Sequence, residues 1–110
     1  MNSMNPIAEF EACLIDGVPS IGRFLTRSSL KLDNLRINTK QYWLSKEQGE
    51  DQEVLNEEYE AIKAEYYEAI DFMNEIKKYP EVFEHYKNKI NSIGNYMDRN
   101  FQLLEIYRNE

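Results

Sequence analysis

The sequence predicts an all-α protein, an elongated antiparallel three-helix bundle of coiled-coil hairpins with a short N-terminal helix. Apolar residues recur at alternating spacings of three and four along three long stretches, which is the pattern of amphipathic helices. Turn-forming residues are scarce: 4 Gly and 3 Pro are too few for the many short strands of a sandwich or barrel. A chain of 110 residues fits one core, so residues 1–110 read as a single helical domain.

Met1, Asn2 and Ser3 add nothing to this pattern, and Met4 is a second candidate start. Asn5 before Pro6 reads as a helix cap followed by the first helical position, where the amide that proline lacks has no partner anyway. That short helix is expected over about 5–16, ended by Asp16-Gly17 because glycine reaches positive φ readily. Pro19 is expected to open a long helix over about 19–47. Its stripe is Ile21, Leu25, Ser28, Leu32, Leu35, Thr39 and Tyr42, broadened by Phe24 and Trp43. A rival reading folds residues 29–38 into a hairpin around Asp33-Asn34; that pair lacks the glycine favoured in two-residue hairpins, so helix is predicted. Gly49 marks a turn within Ser45–Asp51.

The next helix, about 51–79, carries the most regular stripe: Leu55, Tyr59, Ile62, Tyr66, Ala69, Met73 and Ile76. Lys77 and Lys78 suit its negative end, and Pro80 stops it by excluding α geometry from its predecessor. Pro80 also opens the last helix, about 80–108, with the stripe Phe83, Tyr86, Ile90, Ile93, Met97, Phe101, Leu104 and Tyr107. Gly94 interrupts it, as a weak point or as a close-packing site. The 4-3 spacing is also that of coiled coils, so a homodimer is the natural alternative to a free-standing bundle, with Gly94 and Met97 admitting the partner helix.

Charge is distributed unevenly. The chain holds 20 Asp+Glu against 13 Lys+Arg, net −7, with a pI near 4.8. Residues 1–46 have four acids and six bases, residues 47–86 thirteen acids and three bases, and residues 87–110 three acids and four bases. The middle third is therefore the acidic one, at −10. On a wheel of 100° per residue from Leu55, Glu50, Glu53, Glu57, Glu60, Glu68, Asp71 and Glu75 cluster between about 140° and 220°, opposite the apolar stripe. Tyr67 projects beside them at about 120°. Like charges three or four residues apart stand about 5–6 Å from one another and destabilise a helix by a few tenths of a kcal/mol per pair. A basic partner surface would offset this, as would the basic flanking helices. The basic stripe Arg23, Arg27, Lys31, Arg36 and Lys40 is expected to face the acidic helix; direct nucleic-acid binding would work against the net charge.

Little points to catalysis. His85 follows Glu81 by four residues and Glu84 by one, but no serine or cysteine accompanies it in a known motif. A di-iron bundle needs Glu-x-x-His on two helices, and zinc sites need more than one Cys and one His. Glu57, Glu58, Glu65 and Glu68 are spaced for a carboxylate metal site but are expected to point outward. Gly17 and Gly22 lack the Lys-Ser/Thr of a phosphate loop. Cys13, beside Leu14 and Ile15, reads as a small buried apolar residue. The sequence therefore predicts no enzyme, cofactor or metal.

The single cysteine excludes a disulfide framework, no signal peptide is visible and no apolar run is long enough to span a membrane, so a cytoplasmic protein is expected. In size, bundle plan and concentrated acidity the chain resembles the small inhibitor, immunity and chaperone proteins that bacteria and phages encode. The expected function is non-catalytic: Glu53, Glu57, Glu60, Tyr67, Glu68, Asp71 and Glu75 dock on a basic surface of a protein partner, such as a nucleic-acid-binding enzyme or a toxin. The alternative is a self-associating structural or assembly protein.

Overall fold

A cap sets the chain's first element: in the computed structural model, which describes residues 5–110, the Asn5 side chain accepts the Ile7 amide at 2.8 Å. With Pro6 in its first turn, helix α1 runs Pro6–Glu11. It ends well short of residue 16. The chain then forms a hairpin, β1 (Leu14–Ile15) and β2 (Val18–Pro19), with Ile15 opposite Val18. Asp16 (φ 53°) and Gly17 (φ 78°) are both left-handed, as a two-residue hairpin turn requires. Asp16-Gly17 thus builds a hairpin instead of ending a helix.

Pro19 belongs to that hairpin, and the Ser20 side chain caps helix α2 (Ile21–Glu47) by accepting the Arg23 amide at 3.4 Å. Residues 29–38 are helical throughout. Gly49 (φ 74°) closes α2: Glu50 donates to the Ser45 carbonyl and Gly49 to that of Lys46, each at 3.0 Å, the paired bonds of a glycine C-cap. Helix α3 spans Gln52–Asn74 and tightens into a 3₁₀ turn over Glu75–Lys78. Tyr79, ahead of Pro80, leaves helical geometry (φ −122°, ψ 74°), and helix α4 runs Pro80–Asn109. The α4 stripe is not carried by one straight helix, because Tyr86 (φ −114°, ψ 17°) breaks the first turns from the rest.

The long helices form an all-α bundle with extents of 50 × 30 × 17 Å. Contacts give their directions. Asn38 meets Glu65 and Ser45 meets Glu58, so α2 and α3 are antiparallel. Tyr59 meets Glu105 and Tyr66 meets Asp98, so α3 and α4 are antiparallel too. Asn100 of α4 donates to the Leu35 carbonyl at 3.2 Å and the Thr39 hydroxyl at 2.9 Å, which fixes the register of α4 along α2. Lys46 completes this end: its ammonium reaches the carbonyls of Tyr107, Arg108 and Glu110, a cation on the negative end of α4.

The core follows the stripes, with Leu35, Leu55, Tyr59, Ile62, Met73, Ile90, Ile93, Met97 and Leu104 buried. Phe72, about 100° off the α3 stripe, is nevertheless wholly buried. It stacks on Phe24 (centroids 5.2 Å, interplanar 12°), and Phe10 meets both rings edge-on at 5.9 and 6.1 Å. Helix α1 supplies the second neighbour that buries this side of α3. Gly94 is not a close-packing site, since a Cβ added there would meet nothing within 4 Å. Met97 is wholly enclosed within the bundle, so it presents nothing to a second subunit.

Two substitutions test this core. Phe72→Ala removes the ring shared by α1, α2 and α3 and is expected to lower unfolding stability by about 3–5 kcal/mol in a urea titration. Gly94→Ala relieves a mid-helix glycine with open space around it and is expected to raise stability by about 1 kcal/mol by the same measurement.

Candidate docking face on the third helix

The outer face of α3 is built by period: side chains three or four positions apart lie on one side of a helix. Glu53, Glu57, Glu60, Glu68 and Asp71 are all exposed there, along about 27 Å of helix. Tyr67 stands beside them, 51% exposed, its ring edge-on to Tyr66 at 5.2 Å and tilted against Phe101 at 6.0 Å. The aromatic pair beneath it, Tyr66 on Phe101 (4.5 Å, 8°), holds Tyr67 at the α3/α4 seam. Glu75 does not belong to this face. Glu75 opens the 3₁₀ turn and pairs with Lys78 at 2.9 Å, with its side chain only 16% exposed.

The cations do not face the acids. Lys31 and Arg27 both reach Glu9 of α1, at 2.7 and 3.7 Å, and Lys31 also lies 4.9 Å from the centroid of the Phe72 ring. Arg36 pairs with Asp33 of its own helix and covers Tyr96. Arg108 lies over the Tyr59 ring at 3.9 Å, and Lys87 pairs with Glu84. The expectation that the basic stripe turns toward the acidic helix is therefore corrected. α1 packs chiefly against the C-terminal end of α3 and its 3₁₀ turn, and Glu9, its half-buried acid, takes two cations of α2. Among the described residues, no salt bridge includes Glu53, Glu57, Glu60, Glu68 or Asp71.

Next to this face runs a groove between α2 and α3, of about 570 Å³, lined by Asn38, Gln41, Glu58, Ala61, Ile62, Ala64, Glu65 and Glu68. Ala61 and Ala64 leave it open, Ile62 gives it an apolar floor, and three carboxylates rim it. Glu65 accepts from Asn38 at 2.9 Å and Glu58 from Ser45 at 3.3 Å. The other oxygen of Glu58 is enclosed and meets no donor among the described residues. Glu58 and Glu65 are half-buried, not directed outward as expected. The available signal was the run of small polar residues Asn38, Gln41 and Ser45 on the flank of α2, opposite them.

His85 is exposed, next to the Tyr86 ring at 4.6 Å, and Glu84 is taken by Lys87. Among the described residues, no three His, Cys, Asp or Glu side chains are grouped to hold a metal ion. Cys13 is wholly buried, its thiol directed at the Glu9 carbonyl (3.7 Å), and burial pushes its pKa up. Among the described residues, no helix is long and apolar enough to cross a membrane.

No protein-family model matches the chain, and no curated protein or solved structure matches it.

The tyrosine hydroxyls at the α3/α4 seam lean to its edge. Tyr66 donates to Asp98 at 2.6 Å and Tyr59 to Glu105. Burial first, and then these carboxylates, push both phenols up from their usual range; burial raises Tyr42 as well. The folded chain thus keeps these protons after the unfolded chain releases them near pH ~10. The corresponding stability is complete below that pH and is lost as pH rises above it. Urea midpoints are expected to fall above about pH 10, and to fall less steeply in Tyr66→Phe.

Proposed function

We propose that this chain is a non-catalytic binding protein that lays the outer face of α3 on a basic surface of a protein partner and blocks or masks it. The observation that carries this is the set of five exposed acids that form no ion pair among the described residues, while Arg27, Lys31, Lys78 and Lys87 pair with other carboxylates. Their mutual repulsion is not relieved from within, and a cationic surface relieves it. Carboxylates about 5–6 Å apart stand at a spacing close to that of phosphates along a strand, so a nucleic-acid-binding enzyme or a toxin with a phosphate-binding surface is the kind of partner proposed. Tyr67 supplies an aromatic anchor at one border of the face, and the Glu58–Glu65 groove accepts a lysine or arginine at the other.

Concentrated negative charge speeds encounter with such a partner, and salt screens it. The buried free thiol of Cys13 fits a reducing compartment, and we place the protein in the cytoplasm. An inhibitor or accessory role of the kind small bacterial and phage proteins perform is consistent with this reading.

Affinity capture from native lysate at about 50 and 500 mM salt tests the proposal. The wild-type chain is run beside a variant with Glu53, Glu57, Glu60, Glu68 and Asp71 changed to their amides. A partner retained at low salt, released at high salt and bound at least about tenfold more weakly by the purified variant is the expected result. A partner held equally by both chains overturns the assignment of this face.

A further inference from the structure

Helix α2 carries apolar residues on two sides. Its inner stripe fills the core, and on its outer side Leu30 and Ile37 are 56% and 63% exposed, with Leu44 partly exposed in line with them. These three are spaced seven apart, the interval that keeps one seam facing a partner helix along a left-handed supercoil. Seven residues on either side of Ile37 stand Leu30 and Leu44, so the stripe is symmetric about Ile37.

The polar residues flanking the stripe share that symmetry. On one flank lie Asp33, four residues before Ile37, and Lys40, three after it. On the other lie Asn34, three before, and Gln41, four after. We propose that α2 is the seam of an antiparallel homodimer, with Ile37 on the two-fold axis and a second copy of this chain as the occupant. Leu30 then packs on Leu44 of the second copy and Ile37 on Ile37. A two-fold axis across the seam keeps each flank with itself, so Asp33 meets Lys40 of the second copy and Asn34 meets Gln41, each within one residue's rise of level. Parallel pairing sets the Asp33–Lys40 flank against the Asn34–Gln41 flank and forms no such ion pair, so the charges favour the antiparallel arrangement.

Lys40 is exposed and forms no ion pair among the described residues, and Asp33 has only the exposed Arg36 at 3.8 Å. Both are free to make the contact. The seam lies on α2 and leaves the outer face of α3 uncovered, so this dimer does not depend on the function proposed above.

Sedimentation equilibrium over a concentration series tests the dimer, with circular dichroism confirming that each variant keeps its helix content. The wild-type chain is expected at twice its 13.1 kDa mass. Ile37→Glu sets two carboxylates on the axis and is expected to give monomer throughout. Asp33→Lys is expected to weaken association at least tenfold, and Asp33→Lys with Lys40→Asp to restore it. A wild-type monomer at every concentration overturns the proposal. So does a dimer indifferent to Ile37→Glu, or one that the double exchange fails to restore.

Discussion

The contact of Phe24 with Phe72, closed over by Phe10, decides where the charges of this protein go. The three rings are held within 5.2–6.1 Å of one another, and they hold the short α1 against the C-terminal end of α3, beside the first turns of α2. Edge and stacked pairs of this kind contribute about 0.5–1.5 kcal/mol each beyond their burial. With α1 in place, Glu9 stands between Arg27 and Lys31 and draws both cations to that side. The acids of α3, on the far side of the same helix pair, are left without them. An apolar contact thus produces an electrostatic result: seating α1 brings Glu9 to Arg27 and Lys31.

The bundle tolerates this because apolar burial outweighs the repulsion. Like-charged neighbours at helical spacing destabilise by a few tenths of a kcal/mol each, whereas a single buried Leu or Ile side chain is worth about 1.5–3 kcal/mol. Seven buried residues along α3 and its 3₁₀ turn, Phe72 and Ile76 among them, exceed that repulsion many times over. The cations are then released for other duties. Lys46 holds the carbonyl end of α4, and Arg108 covers Tyr59, where a guanidinium over the ring closes the bundle end from water. The exposed acids of α3 thus stand apart from the cations that the bundle itself engages, which is the physical basis of the partner proposed for this face.

Periodicity made most of this fold readable before the structure. The 3/4 stripes place nearly every core residue of α2, α3 and α4, and caps at Asn5, Ser20 and Gly49 obey local rules. Three features escape such reading, each because a distant element intervenes. Phe72 is off-stripe on its own helix and is buried only because α1 supplies a second wall. Asp16-Gly17 satisfies both a helix stop and a hairpin turn, and the apolar pairs Leu14-Ile15 and Val18-Pro19 on either side decide for the hairpin. Glu75 falls on the acidic arc by period, but the 3₁₀ turn ahead of Pro80 brings Lys78 back onto it and its side chain is largely covered. The exposed acids Glu53, Glu57, Glu60, Glu68 and Asp71 were legible, since an outer face needs only its own period. The Glu58–Glu65 groove was not, since it exists only where α2 turns small polar residues toward α3.

Helix α2 explains why one chain can carry both surfaces. A three-helix bundle gives each helix a single outward side, and α3 uses its own for charge. α2 uses its for Leu30 and Ile37, which stay exposed among the described residues, and for Leu44, which is partly exposed. Surface leucine and isoleucine are ordinary singly, but three in register at seven-residue spacing with self-complementary flanks are a pattern that burial within the chain does not require. The outward sides of α2 and α3 diverge around the bundle axis, so pairing through α2 leaves both acidic faces open. In the proposed dimer, two such faces on one particle would bind a repetitive or two-fold basic partner with an affinity that a single face cannot reach, because the second contact forms at high effective concentration. On this proposal, charge on α3 sets which partner is met and how fast, and the apolar stripe on α2 sets how many contacts hold it.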